Sequence, residues 1–266
     1  MSARPAFADD CETGFAARTE THDLSARQSP RGNHLLAALP RADYERLRPH
    51  LEPVALPRAC VVHHAGDPES CLYFLTAGLM SRVYVTQDGA SAEFAVTGRE
   101  GVIGVASFLG GESTPSQAVV LRRGFAYRLG SAALRDELER GGPLWHLLLR
   151  YTQTLIAQTG QAAVCNRHHS LEQQLCRWLL ASLDRLASNE LVMTQALIAR
   201  LLGVRRQGIS HAAAKLQEKG LIRYSRGRIA VLDRVGLEAH VCECYAVVKR
   251  EYDRLLAECG RPAGAF

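Results

Sequence analysis

The segment from residue 201 to residue 216, LLGVRRQGISHAAAKL, places two cations and an amide where a predicted helix begins: Arg205, Arg206 and Gln207. The macrodipole makes this end of a helix positive, so cations there need an anion outside the protein to stabilise them. Arginine can bind guanine, and glutamine can bind adenine, through two hydrogen bonds each. These residue types indicate a partner that offers both phosphates and base edges, which is double-stranded DNA.

The residues around this segment fit a helix-turn-helix, the element that must present those side chains. Thr194 can cap the first helix, Gly203 suits the tight turn, and Ile209 is apolar where the second helix packs on the first. Small or apolar residues fill the other buried positions, namely Ile198, Ala199, Leu202, Val204 and Ala212. The first turn of the second helix is the part that reaches base edges in the major groove. We predict that this helix contacts DNA through Arg205, Arg206, Gln207, Ser210, His211 and Lys215.

Two short runs after the second helix, LIRY and RIAVL, flank a turn at residues 225 to 227 and predict a small β-hairpin wing. Between residues 205 and 228, seven lysines and arginines stand against one acidic residue, a net charge of +6, whereas the whole chain carries +5. A run of charge is often only a solvated face, but this one coincides with a DNA-binding motif. We predict that Arg226 and Arg228 contact phosphates, which would make binding salt-dependent.

The chain before this motif predicts a β-roll followed by a long helix. Short β-type runs separated by Gly, Asp and Pro extend from residue 54 to residue 129, with a hairpin turn at QDGA, residues 87 to 90. The next segment carries an apolar stripe at alternating spacings of four and three residues, which is typical of a helix that pairs with a partner helix. Packing of that helix on its own barrel is the alternative. The stripe that we predict to form a homodimer contains Leu144, Leu148, Tyr151, Leu155, Gln158 and Ala162.

These patterns predict an α+β fold in five parts: a β-roll of antiparallel strands, a long dimerisation helix and a C-terminal winged helix-turn-helix, with a segment at each end. The predicted bounds are a flexible N-terminal segment at 1–33, the sensory roll at 34–142, the dimerisation helix at 143–169, the winged helix-turn-helix at 170–234 and a C-terminal helix extension at 235–266. We expect the last of these to pack on the body of the protein.

The composition excludes several classes of protein. Hydrophobic residues make up 47% and charged residues 22% of the 266 residues, as in a globular protein with a real core. No apolar run approaches the ~18 residues of a membrane span, and the N-terminal stretch lacks the apolar core of a signal peptide. The eight cysteines have no framework spacing, so we expect free thiols and a cytoplasmic location.

The order of roll, long helix and winged helix resembles the Crp/Fnr family of bacterial transcription regulators over roughly residues 34 to 234. The resemblance implies a homodimer that reads a near-palindromic site and works with RNA polymerase. The family's base-reading triplet falls on Arg206, Gln207 and His211. Here glutamine replaces the usual glutamate, and histidine replaces the usual arginine, so the operator can differ from the familiar one.

The family's cyclic-nucleotide pocket is degenerate in this sequence. A Gly-Glu-apolar-Gly segment would supply a ribose acceptor, but GVIG stands there, with Val102 between Gly101 and Gly104. The phosphate-binding Arg-Ser/Thr-Ala segment is best matched by SQA, with Ser116 and Gln117 in place of the arginine and the hydroxyl residue. Burial of a charged ligand would be poorly compensated, so cyclic AMP binding is not expected. The candidate replacements for the lost cation are Arg122 and Arg123, of which only one could face inward on a regular strand.

Other constellations predict neither a cofactor nor an enzyme. Cys165 and His169 have ligand-like spacing, with His168 and Cys176 nearby, but we interpret them as free thiols and polar histidines. Cys242 and Cys244 would point about 200° apart on a helix, so we predict that they share no metal. An iron-sulphur cluster on N-terminal cysteines is not expected, since only Cys11 lies there. A metal oxygenase would need more histidines in the roll than His63 and His64. Two alternatives stay open: a thiol- or metal-responsive regulator, and a regulator that acts mainly through protein contacts.

Overall fold

The fold begins with short helices that close one end of the molecule. The computed structural model describes residues 29–186 and 188–257. A 3-10 turn at Pro30–Gly32 leads into α1 (His34–Ala37) and, after Pro40, into α2 (Arg41–Leu47). Asn33 is fully buried, and its amide donates to the carbonyls of Leu75 and Gly101 at 2.9 and 2.8 Å. The last residues of the predicted flexible segment are therefore part of the fold, whereas residues 1–28 lie outside the described residues.

An antiparallel β-roll follows, which confirms the predicted fold class. Its strands are β1 (Leu51–Leu56), β2 (Val61–His63), β3 (Cys71–Val85), β4 (Ser91–Thr97), β5 (Val102–Ile103) and β6 (Ser116–Gly130). The strand order is β1-β6-β3-β4, with β2 on β6 and β5 on β3. The turn at residues 87–90 joins β3 to β4 as predicted, with the Thr86 N–H donating to the Ala90 carbonyl at 2.8 Å. A short helix, α3 (Ala106–Leu109), follows β5.

The long helix packs on its own roll, which corrects the predicted dimer stripe. After α4 (Ser131–Glu139), α5 runs over 26 residues, Pro143–His168. An apolar stripe shows that one face of a helix is buried, but it does not distinguish a partner helix from a sheet of the same chain. The Tyr151 hydroxyl lies 3.0 Å from the Thr97 hydroxyl of β4. The residues that turn inward, and so are closed to a partner, are Leu144, Leu148, Tyr151, Leu155, Gln158 and Ala162.

The C-terminal part is a winged helix-turn-helix with an additional strand. The elements are α6 (Leu171–Leu183), β7 (Glu190–Val192), α7 (Gln195–Leu202), α8 (Arg206–Glu218), β8 (Ile222–Ser225), β9 (Arg228–Val231), α9 (Arg234–His240) and α10 (Glu243–Ala257). The three-stranded antiparallel sheet has the order β7-β9-β8. The sequence did not predict β7, because this strand is only three residues long. The two helices after the wing complete the described chain.

One apolar core joins the roll to the winged helix. Leu79 and Val83 of β3 belong to the same buried cluster as Trp178 of α6 and Ile198 of α7. The helix α10 packs on α5, with Tyr252 buried among residues of the roll and α5, so the expected packing of the C-terminal extension is confirmed for its described part. Among the described residues, every helix is too short or too polar to cross a membrane.

Candidate nucleic-acid interface and effector pocket

The helix-turn-helix has the local geometry that its sequence predicts. The Thr194 hydroxyl caps α7 by accepting from the Leu197 N–H at 3.2 Å. Gly203 ends this helix with φ at +67°, a left-handed conformation that glycine adopts without strain. Ala199 and Ile209 are both buried between the two helices. The turn therefore fixes the angle at which α8 leaves the body of the protein.

The first turn of α8 presents its polar side chains to solvent. Arg205 is the N-cap residue, and Arg205, Arg206, Gln207 and His211 are all exposed. Since an arginine side chain has no oxygen, it cannot cap the free N–H groups of this helix end. Gly208 was not singled out in the sequence, yet a Cβ there would lie 2.7 Å from the Leu171 side chain. The missing side chain lets α8 approach the start of α6.

Two residues predicted to contact DNA make internal contacts instead of projecting freely. The Ser210 hydroxyl donates to the Gln195 side chain at 2.6 Å. Lys215 Nζ lies 2.6 Å from the Glu172 carboxylate, which also pairs with Lys219 at 3.2 Å. These hydrogen bonds from lysines hold the pKa of Glu172 down to about 2. The charge count over residues 205 to 228 did not include Glu172, because this residue lies on α6, more than 40 residues away from Lys215 along the chain.

The wing carries its arginines at a tight, fixed turn. Arg226 and Gly227 occupy the two central positions between Ser225 and Arg228, with φ at +49° and +74°. This is the two-residue hairpin loop with positive φ at both positions, where Asn or Gly is usual. The exposed arginine at the tip is thus held at a conformational cost. The Gly227 carbonyl accepts from the Met193 N–H at 2.7 Å, which anchors the tip to the body.

Other parts of the protein pack closely against the segment that corresponds to the cyclic-nucleotide pocket. A Cβ on Gly101 would lie 2.4 Å from the Tyr151 ring of α5. Val102 is fully buried in β5. Gly104 has φ at +104°, and a Cβ there would lie 2.2 Å from the Cys71 carbonyl. The backbone of this segment is therefore packed directly against α5 and β3.

The second half of that pocket also lacks an inward cation from the predicted positions. Ser116 is buried and lies 2.9 Å from the Thr114 hydroxyl, and the amide oxygen of Gln117 is buried without a partner among the described residues. Arg122 and Arg123 are both exposed, so the expectation that one could face inward is wrong. The reason is a register shift in β6 opposite Gly78, which breaks the alternation of faces.

A buried ion pair inside the roll was missed by the sequence analysis. Arg82 lies 2.8 Å from Glu69, and both side chains are almost fully buried. The second carboxylate oxygen of Glu69 accepts from the Ala106 N–H at 2.8 Å. Burial lowers the pKa of the neighbouring His63. The Arg82 Nε, in contrast, is buried without a hydrogen-bond partner among the described residues. In the sequence, the only sign of this pair is an arginine within a β-type run.

A cavity of about 430 Å³ lies where α5, α6 and α10 meet the loop after β4. Its wall includes the cationic side chains of Arg99, Arg177 and Arg185, together with Tyr245 and Tyr252. Arg185 Nε lies 2.6 Å from Glu100. The cavity therefore touches both the roll side and the DNA-binding side of the molecule.

Five of the cysteines in the described part of the chain are free and buried. They are Cys71, Cys165, Cys176, Cys242 and Cys244. Burial raises the pKa of Cys176 to about 12, so this thiol is not ionised at neutral pH. Cys242 precedes α10 and Cys244 lies in its first turn, so the two do not share one helix as the sequence analysis assumed. Cys165, His169, Cys242 and Cys244 come together at the junction of α5, α6 and α10.

Comparisons with known proteins agree with this arrangement. Residues 53–140 match the cyclic nucleotide-binding domain, and residues 173–240 match the Crp-like helix-turn-helix domain. None of the curated proteins matches the chain.

Solved structures of regulators share the fold. A Crp/Fnr-family protein from Eubacterium rectale is 17% identical with a TM-score of 0.63, over 77% of this chain and 96% of that one. FixK2 from Bradyrhizobium japonicum is 15% identical with a TM-score of 0.63, over 72% and 98%. The c-di-GMP-responsive regulator CLP from Xanthomonas campestris is 16% identical with a TM-score of 0.60, over 73% and 100%.

A cyclic-nucleotide-binding-type roll followed by a winged helix-turn-helix defines a DNA-binding transcription regulator. The chain belongs to the Crp/Fnr family of these regulators.

Proposed function

We propose that this protein is a homodimeric transcription regulator that reads a near-palindromic DNA site with α8 and contacts phosphates with the wing. The observation that carries the proposal is the exposed set Arg205, Arg206, Gln207 and His211 at the start of α8, next to a wing whose tip holds Arg226. A helix-turn-helix dimer places two such helices in successive major grooves. Arg228, also exposed, extends the phosphate-binding surface, while Ser210 and Lys215 hold α8 to the side chains of Gln195 and Glu172.

Substitution at the start of α8 tests the reading of bases. Genomic-fragment selection with the purified protein should enrich one palindromic motif. On that motif, Arg206→Ala should cost roughly 1–3 kcal/mol and relax the preference at one base pair. Arg58→Ala, which removes an exposed arginine from the roll, is the matched control and should leave binding unchanged. If Arg206→Ala keeps both the affinity and the base preference of the wild type, α8 does not read the site.

We propose that dimerisation uses the face of α5 opposite the roll. Leu149, Ile156 and Val164 lie on that face and are 39%, 60% and 47% exposed, which is unusual for large apolar side chains on one helix. Ile156→Glu should convert the dimer to a monomer in analytical ultracentrifugation. Val235→Glu, at another exposed valine, should not. A dimer that survives Ile156→Glu would show that another surface joins the two copies.

We further propose that cyclic AMP is not the effector. Tyr151 occupies the space beside Gly101, Val102 takes the place of the ribose acceptor, and both candidate arginines of β6 point to solvent. A small effector would instead find cations and both halves of the molecule in the cavity lined by Arg99 and Arg177. Its binding would regulate DNA affinity by favouring one of two arrangements of the heads. Calorimetric titration with cyclic AMP and cyclic GMP should give no binding heat, and micromolar binding would overturn this assignment.

We propose that the protein acts with RNA polymerase in the cytoplasm, as membership of a family of bacterial transcription regulators implies. A regulator that acts only through protein contacts is the alternative, and the fragment selection separates the two. Enrichment of a defined motif requires the base-reading helix.

A further inference from the structure

Four side chains with metal-binding atoms meet at the junction between the roll and the DNA-binding part. Cys165 lies in the last turn of α5, His169 follows that helix, Cys242 precedes α10 and Cys244 lies in its first turn. One ligand atom from each, three sulphurs and one ring nitrogen, lies within 4.8 Å of all the others. The three cysteines are buried, and His169 is 15% exposed.

The separations match the edges of a tetrahedron around one ion. Zinc binds sulphur at about 2.3 Å and imidazole nitrogen at about 2.0–2.1 Å, which gives edges of roughly 3.8 Å between two sulphurs and roughly 3.6 Å between sulphur and nitrogen. Cys165 Sγ and Cys242 Sγ are 3.6 Å apart, and Cys244 Sγ is 3.4 Å from His169 Nδ1. An iron-sulphur cluster would hold its ligands further apart, because sulfide ions lie between the irons.

The groups around these four side chains are those that support a metal centre. His169 Nε2, the ring nitrogen that faces away from Cys244, lies 3.2 Å from the Glu243 carboxylate. A histidine ligand usually donates its other N–H to a carboxylate in this way. Arg177 Nε donates to Cys165 Sγ at 3.2 Å, and Gln161 Nε2 donates to Cys244 Sγ at 3.0 Å. Three thiolates on a divalent ion carry one net negative charge, which the Arg177 guanidinium offsets.

We propose that Cys165, His169, Cys242 and Cys244 bind one thiophilic divalent ion of the zinc type in a closed, tetrahedral site. Three thiolates and one imidazole are a donor set typical of structural zinc, and a site with four protein ligands leaves no position for a substrate. The ion would join the end of α5 and the start of α6 to the start of α10. It would thereby fix the hinge through which the DNA-binding part is attached to the roll.

Metal analysis of the full-length protein tests the site directly. Protein dialysed against metal-free buffer should retain about one zinc ion per chain. Replacement by Co²⁺ should produce a thiolate-to-cobalt charge-transfer band and the intense visible bands of tetrahedral cobalt. Cys244→Ala should lose the ion and these bands, whereas Cys176→Ala, at another buried free cysteine, should keep both.

A milder variant tests the site without removing a ligand. Glu243→Gln should weaken zinc affinity about 10- to 100-fold in competition with a chelator, because the carboxylate orients the histidine. Glu251→Gln, on the same helix and paired with Arg254, should not.

Four outcomes would overturn the proposal. These are a wild-type protein without bound metal, a Cys244→Ala variant that binds as much metal as the wild type, iron with sulfide in place of zinc, and a Cys165–Cys242 disulfide in protein isolated from a reducing cytoplasm. Each result is independent of DNA binding.

Discussion

Glu93 connects the roll to the DNA-binding part and should make stability depend on pH. Its carboxylate on β4 accepts from the Ser81 hydroxyl at 2.6 Å and from the Trp178 indole N–H of α6 at 3.0 Å. Burial raises the pKa of Glu93 to about 7, although these hydrogen bonds and the cations of Arg177 and Arg185 oppose the shift. The folded protein therefore keeps the Glu93 carboxyl protonated up to a higher pH than the unfolded chain does.

The sign of the effect follows from proton binding. The folded-state pKa lies above the ordinary value of 4.5, so the free energy of unfolding falls as pH rises from about 4.5 to about 7. The difference between the two values corresponds to at most about 3 kcal/mol. Glu93→Gln keeps the shape and removes the charge: its carbonyl oxygen can accept from the Trp178 indole N–H, and its NH2 group can donate to the Ser81 hydroxyl oxygen. The variant should be close to the wild type at pH 5 and more stable, by up to this amount, at pH 8.

Urea unfolding followed by circular dichroism at several pH values would measure this difference. Glu45→Gln, which removes an exposed carboxylate paired with Arg48, is the control and should change stability little at any pH. A difference between Glu93→Gln and the wild type that stays constant from pH 5 to pH 8 would refute the reasoning. In that case Glu93 would be ionised over the whole range, and its hydrogen bonds would outweigh its burial.

Two further changes have calculable effects on stability. Gly101→Ala places a methyl group against the Tyr151 ring and should lower the free energy of unfolding by about 1–3 kcal/mol, measured by thermal unfolding. In a Tyr151→Ala background, where the ring is absent, the same Gly101→Ala change should cost less. The pKa of Glu172 lies at about 2, below its ordinary value, so its pairs with Lys215 and Lys219 stabilise the fold above about pH 4.5 and lose this effect as pH falls toward 2. Because these lysines are half-exposed, Glu172→Gln should cost about 1 kcal/mol or less at pH 7 and clearly less at pH 2. An equal loss at both values would contradict the pairing.

The helix-turn-helix could be predicted because local chemistry specifies each of its positions. A threonine that caps, a glycine with positive φ and an isoleucine at the helix crossing each have one structural reason, and Thr194, Gly203 and Ile209 take these places. The same local logic predicted the hairpin turn at residues 87–90.

Features that depend on contacts distant along the chain could not be predicted. The stripe containing Leu148 and Tyr151 had the correct period, but a period does not say which surface covers the stripe. The pairing of Lys215 with Glu172 joins two helices that are not adjacent along the chain. Cys242 and Cys244 were assigned to one continuous helix, and an error of a few residues in that helix boundary concealed that their thiols converge.

The common core of Leu79, Val83, Trp178 and Ile198 has a consequence for how this protein can be divided. A fragment that carried only the winged helix would expose the apolar surface that the roll now covers, so we expect it to be less stable and more prone to aggregation than the full chain. The two parts match separate domain families but share one apolar core, so we expect them to unfold together. Any signal that separates them must first supply the free energy of opening a hydrophobic interface.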